Sequence, residues 1–116
     1  MVDDERDILL IYKIGLEQNG FLVDGFNDPI QSLLSFKAGI YDLLLLDIKM
    51  PKMNGFELYL EIQKIDDKVK PCFITSFVAY YESLREIFHM RNIRCIIKKP
   101  IEISDLVDRI KAKITQ

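Results

Sequence analysis

The spacing of apolar and polar positions sets out an order of elements along the chain. Residues 5–18 carry Ile8, Leu9, Ile11, Tyr12 and Leu16 at near-helical spacing, and Asn19-Gly20 closes that helix. FLVDGF (21–26) has the length and composition of a short strand. Asn27 or Asp28 then offers a cap for a second helix, with Pro29 in its first turn. YDLLLLD (41–47) is a continuous apolar run without period two, which predicts a strand covered on both faces. Asn54 caps a third helix carrying Phe56 and Leu60. KPCFITS (70–76) predicts another strand, Tyr81, Leu84, Ile87 and Phe88 mark a further helix, and IRCIIKKP (93–100) is a strand stopped by Pro100. Glu102 or Ser104 opens a last helix with Ile103, Leu106, Val107, Ile110 and Ile114 on one stripe.

Strands alternating with helices predict an α/β fold, a doubly wound parallel sheet with helices on both faces. In such sheets the chemistry sits at the carboxyl ends of the strands. That edge collects Asp3 and Asp4 before the first helix, Asp47 after the leucines, Thr75 and Ser76, and Lys98 and Lys99.

The 116 residues suit one domain, 1–116, large enough for a real core. A net charge of −2 gives no bulk attraction to nucleic acid or membrane. No apolar run approaches the roughly 18 residues of a membrane span, and MVDDERD is acidic, unlike a signal peptide. Cys72 and Cys95 form no C-x-x-C and lie in apolar runs, so a reduced, buried pair in a cytoplasmic protein is expected. His89 has no His or Cys near it in sequence and reads as a helix-surface residue.

A buried strand ending on a carboxylate fits three phosphate chemistries. A Walker B strand needs a G-x-x-x-x-G-K-[ST] loop, and here Phe-Leu follows Gly20 and Phe-Asn follows Gly25. A phosphatase of the haloacid-dehalogenase type carries a second Asp two residues on, where this chain has Lys49. The third chemistry is a phosphate-accepting signalling domain. VDDE at 2–5, LLLLDIKMPKMNG at 43–55, ITS at 74–76 and KKP at 98–100 together resemble the receiver domain of two-component response regulators, over nearly the whole chain.

The resemblance implies a five-stranded, flavodoxin-like sheet in the order 2-1-3-4-5. It implies that Asp47 accepts a phosphoryl group from a sensor histidine kinase, and that Mg2+ or Mn2+ is held by Asp4 and Asp47 directly, by Asp3 through water, and by the Lys49 carbonyl. Thr75 would donate to the attached phosphate, and Lys99 would be the lysine of the site, leaving Lys98 solvated because strand neighbours point to opposite faces. The chain would act as a signalling phosphoacceptor in the cytoplasm, not as a classical enzyme. It would have an effector or output domain as partner and no direct contact with nucleic acid or membrane. The resemblance places a partner or homodimer face on the helix of Tyr80, Tyr81, His89 and Met90 and on the strand of Ile96. It also sets Lys49 and Phe77 beside the path of hydrolytic water, and Phe77 offers no group to orient water, so slow self-dephosphorylation is expected.

Two departures qualify the resemblance. Where the family usually has Tyr or Phe three residues before the lysine, this chain has Ile96, so the aromatic half of the switch cannot operate there. Only Met1 and Val2 precede Asp3, where the family has a buried strand. A phosphorylation-independent interaction module is therefore the competing reading. The short first strand predicts an opened slot, a strand donated by a second protomer, or upstream residues in the natural chain. Nothing after the last helix reads as an output domain, which fits a stand-alone receiver or one cut from a larger regulator.

Overall fold

The computed structural model describes residues 1–76 and 94–116. The predicted helix of Tyr81, Leu84, Ile87 and Phe88, with Phe77, Tyr80, His89 and Met90, lies outside the described residues. The sheet contains β1 (Leu43–Asp47), β2 (Lys70–Thr75) and β3 (Ile96–Lys98), all parallel, in the order β1-β2-β3. Beyond β1 lies Val2, bridged in parallel both to Leu46 and to Phe26. Five chain segments thus lie side by side, with Phe26 outermost, then Val2, β1, β2 and β3. This is the order the resemblance implies, with Val2 as the one bridged residue in the place of the first strand.

FLVDGF does not form the regular strand the sequence predicts. Only Phe26 is bridged, and among the described residues its ladder bonds run to Met1 and Asp3. The predicted helices form α1 (Arg6–Gln18), α2 (Pro29–Ser35), α3 (Gly55–Gln63) and α4 (Ile103–Ile114). The Asp28 side chain accepts from Ile30 N–H to start α2. Asn54 and Glu57 form a reciprocal capping box that starts α3. On α1 the buried positions are Tyr12, Gly15 and Leu16, whereas Ile11 is 58% exposed, so the apolar stripe is narrower than the sequence suggests.

The unbroken leucine run is explained by the two layers. Leu44 and Leu46 join one core with Val2, Leu58, Ile62 and Phe73, beneath α2 and α3. Leu45 joins the other with Tyr12, Leu16, Ile74, Ile97 and Leu106, beneath α1 and α4. Both faces are covered, so neither parity of the strand is polar. No helix among the described residues is long and apolar enough to cross a membrane.

One expectation is overturned. Cys72 and Cys95 are bonded as a disulfide in the α1–α4 layer and are not a reduced pair. Phe73 pairs with Ile96, so the residues before them stand opposite each other, with Cα atoms 4.7 Å apart. That distance lies within the range a disulfide spans. Their separation of 23 positions hides this register in the sequence. On the same strand, Lys70 reaches the end of α4, where its ammonium donates to the carbonyls of Lys113, Ile114 and Gln116 at 3.2, 2.9 and 2.7 Å. A cation there satisfies terminal carbonyls that the helix leaves unpaired.

Candidate functional site

The carboxyl edge of the sheet is assembled by backbone pairing. Val2 N–H donates to the Leu45 carbonyl at 2.9 Å, and the Val2 carbonyl accepts from Asp47 N–H at 2.8 Å. Those two bonds bring the residues after Val2 beside the end of β1. Carboxylate oxygens of Asp3, Asp4 and Asp47 lie within 4.8 Å of one another. Asp3 and Asp47 are buried at 0% and 3% exposure, and Asp4 is half-buried.

Lys99 enters from the far strand. Its N–H donates to the Thr75 carbonyl at 2.8 Å, which continues the β2–β3 ladder past Lys98. Its ammonium donates to Asp3 Oδ2 at 2.9 Å and lies 3.6 Å from Asp47 Oδ1 and 3.7 Å from Glu5 Oε1. Lys98 is exposed, so strand alternation separates the two lysines as the sequence predicts. The Lys99–Pro100 peptide is cis, and Ile101 N–H just beyond it donates to the Tyr12 hydroxyl at 3.1 Å, tying this loop to α1.

Asp3 has two duties. Its Oδ1 accepts from Glu5 N–H at 3.0 Å at the start of α1, while Oδ2 holds Lys99. Both oxygens are engaged, which suits the water-mediated role that the resemblance implies for it. Sequence reasoning missed Glu5. Its carboxylate is more than half exposed and offers Lys99 a further contact at the mouth of the site. The only sequence signal for it was its place directly after the acidic pair.

Three acids around one lysine do not share charge equally. Burial, and then the charge of Asp3, push the Asp47 carboxyl up from 3.8 to about 8, and the Lys99 ammonium opposes them. A hydrogen bond and repulsion from Asp4 add to the rise. Lys99 is raised above its ordinary value even though burial alone would lower it. Its hydrogen bond to Asp3 and the charges of Asp47, Asp3 and Glu5 outweigh the burial.

The turn after β1 is shaped for close approach. Gly55 N–H donates to the Ile48 carbonyl at 2.7 Å. A Cβ at Gly55 would overlap the Asp47 carbonyl oxygen and stand 3.2 Å from Ile48 Cα. The glycine of the M-P-K-M-N-G turn is therefore a packing requirement of the carboxylate's own backbone. Lys52 takes a left-handed φ of 72° in this turn, and its ammonium pairs with Asp28 at 2.9 Å.

Thr75 ends β2 at 1% exposure on this edge, and the Lys49 side chain is exposed two residues past Asp47. Ile96 is half-buried against the α2–α3 layer. Tyr81 and Phe77 lie outside the described residues.

The protein CpdR of Brucella abortus, a response regulator receiver protein, is 30% identical over 96% of this chain and 91% of its own length. Several other curated relatives are transcriptional regulatory proteins, and the chain spans about half their length. A CheY-like receiver structure from Methanospirillum hungatei superposes with a TM-score of 0.82 at 27% identity, covering 98% of this chain and 90% of that one. The response regulator TrrA of Thermotoga maritima, solved in complex with Mg2+-BeF, gives a TM-score of 0.76 at 27% identity, covering 96% and 93%. Residues 1–111 match the family described as the response regulator receiver domain, and the chain belongs to that family.

Proposed function

We propose that the chain is the phosphoacceptor of a two-component relay and that Asp47 takes the phosphoryl group. The observation that carries this reading is the edge itself: a buried carboxylate at a strand end, two further acids within 4.8 Å and a lysine ammonium 3.6 Å away. The donor set is oxygen only and rich in negative charge, and a hard divalent cation fits it. Asp4 and Asp47 would hold Mg2+ or Mn2+ with the Lys49 carbonyl, and Asp3 would act through water. The bound cation would supply positive charge for the phosphoryl oxygens. The Mg2+-bearing structure of the Thermotoga maritima relative supports the cation.

In the transfer an Asp47 carboxylate oxygen attacks phosphorus and forms an O–P bond. The bond from phosphorus to the donor nitrogen of a sensor kinase histidine breaks, and the imidazole keeps that electron pair. Lys99 is already held beside Asp47 by Asp3 and places its charge against the phosphoryl oxygens without reorganisation. The Thr75 hydroxyl at the end of β2 then donates to the attached phosphate. Changes there pass to an effector or output domain through the face that includes Ile96 and Tyr81. The setting proposed is the cytoplasm, where the kinase's catalytic part works. Slow loss of the phosphoryl group belongs to the same reading.

Acetyl phosphate with Mg2+, followed by intact mass, tests the proposal. A gain of one phosphoryl group that disappears in Asp47→Ala, and that falls or needs far more Mg2+ in Asp4→Ala, is expected. Labelling unchanged in Asp47→Ala would overturn the assignment. No labelling at all, with partner binding intact, would favour the phosphorylation-independent module.

A further inference from the structure

The acids and the lysine of the site are not equally exposed. Asp3 and Asp47 stand at 0% and 3% exposure and the Lys99 side chain at 5%, whereas the Glu5 side chain is 56% exposed. Asp4 is half-buried. Glu5 is thus the acid of this group that a molecule arriving from solvent meets first. Its backbone fixes it there as α1 begins: Glu5 N–H donates to Asp3 Oδ1 at 3.0 Å, and the Glu5 carbonyl accepts from Leu9 N–H at 2.9 Å. The side chain reaches toward Lys99, with Oε1 3.7 Å from the ammonium. That is too long for a hydrogen bond, and the 2.9 Å contact of Lys99 belongs to Asp3.

The charges of the pocket therefore divide unevenly. Asp4 and Asp47 are the proposed ligands of the divalent cation, and Asp3 is matched by Lys99. The Glu5 carboxylate is left at the mouth, without a hydrogen-bonded cation among the described residues. In a displacement at phosphorus the leaving group departs on the side away from the attacking oxygen. That oxygen belongs to the buried Asp47, so the leaving group departs toward the mouth. Glu5 acts on whatever charge the leaving group carries there.

We propose that Glu5 is a specificity-determining residue that favours phosphoryl donors leaving as a neutral amine over donors leaving as an anion. The proposal rests on the phosphoacceptor reading and names the donor class of that site. In both transfers an Asp47 oxygen forms the new O–P bond. An N-phosphoryl donor in its protonated form carries positive charge on the nitrogen group. Its P–N bond breaks, the electron pair stays on nitrogen, and a neutral amine or imidazole departs. An acyl phosphate breaks its P–O bond, and the pair departs on a carboxylate. A fixed negative charge at the mouth attracts the first leaving group while it is still partly positive and repels the second as its charge develops. Any effect of Glu5 through Lys99 acts on the phosphoryl oxygens, which the two donors share, so it cancels in the ratio of their rates.

The test labels the full chain with Mg2+ and either phosphoramidate or acetyl phosphate, and intact mass gives the rate of phosphoryl gain. The ratio of the two second-order rates, nitrogen donor over acyl donor, should fall by at least about threefold in Glu5→Gln, a size an exposed charge supplies. Glu5→Asp keeps the carboxylate and should keep most of the ratio. Glu17→Gln removes the same charge from the far end of α1 and should leave the ratio unchanged. Salt at about 1 M screens charges beyond about 3 Å and should narrow the gap between the parent and Glu5→Gln. Equal changes in both rates, with the ratio kept, would overturn the proposal and leave Glu5 acting only through Lys99. A ratio moved as far by Glu17→Gln, or a gap that persists in high salt, would overturn it too. These outcomes leave the phosphoacceptor reading standing, whereas no phosphoryl gain from either donor in the parent would overturn both.

Discussion

Replacing Asp47 by Asn should stabilise the metal-free protein at neutral pH, and the size of the gain follows from the site. Asn keeps the shape and removes the charge that burial and Asp3 oppose. The Asp47 carboxyl stands at about 8 in the fold against 3.8 as its ordinary value. A raised carboxyl means that the folded state holds a proton the unfolded state has released. Stability is therefore intact near pH 4 and falls as pH climbs toward 8. At about 1.4 kcal/mol per pH unit, the window from 3.8 to 7 sets a ceiling of about 4 kcal/mol. Asp3 and Asp4 share the repulsion and can relax, so we expect about half, or about 2 kcal/mol at pH 7. For a domain of this size that is a rise of about 8 °C in Tm. Melting both proteins in EDTA at pH 4.5, 6, 7 and 8.5 is the assay. The gap should be near zero at pH 4.5 and widest at pH 8.5, and added Mg2+ should narrow it by binding the parent. A gap that stays constant with pH, or an Asn variant that is less stable at pH 8.5, would refute the electrostatic reasoning.

Gly55→Ala forces a methyl onto the Asp47 carbonyl and should destabilise the fold by about 2 kcal/mol in urea titration. Lys99→Ala leaves Asp3 buried without its 2.9 Å partner. In EDTA at pH 8 it should lose about 3 kcal/mol, and Mg2+ should restore much of that while partner coupling stays lost. Alkylation of the unfolded chain without reductant should add no mass, and with reductant it should add two groups. Reduction should lower stability by about 3 kcal/mol for a loop of 23 positions.

What was legible in the sequence was local or carried by a motif. The M-P-K-M-N-G turn, the Asp28 and Asn54 caps and the two-faced leucine strand each depend on residues a few positions apart. Each formed as expected. The choice of Lys99 over Lys98 needed only strand alternation and the family pattern, and the structure keeps Lys98 exposed. What failed depended on pairing between distant segments. FLVDGF has a strand's composition but lacks a partner of matching length, so composition could not make it a strand. Cys72 and Cys95 meet only because Phe73 aligns with Ile96 across a crossover, and no local pattern contains that register. Ile11 looked like core because its spacing was helical, but it stands 58% exposed, off the buried stripe of Tyr12, Gly15 and Leu16. Glu5 joined the site through the reach of Lys99, a contact set by the fold and not by its neighbours in sequence.

The central claim is that Asp47 carries the phosphoryl group, and site-resolved trapping tests it most directly. The protein is incubated with acetyl phosphate and Mg2+ and then reduced with borohydride, which converts an acyl phosphate to an alcohol. Peptide mass mapping then locates the product. The account predicts a modified Asp47 within Leu43–Gly55 and none at Asp3 or Asp4. Reduction mapped to Asp3 or Asp4, or to no carboxylate in a protein whose intact mass shows the phosphoryl gain, would contradict it.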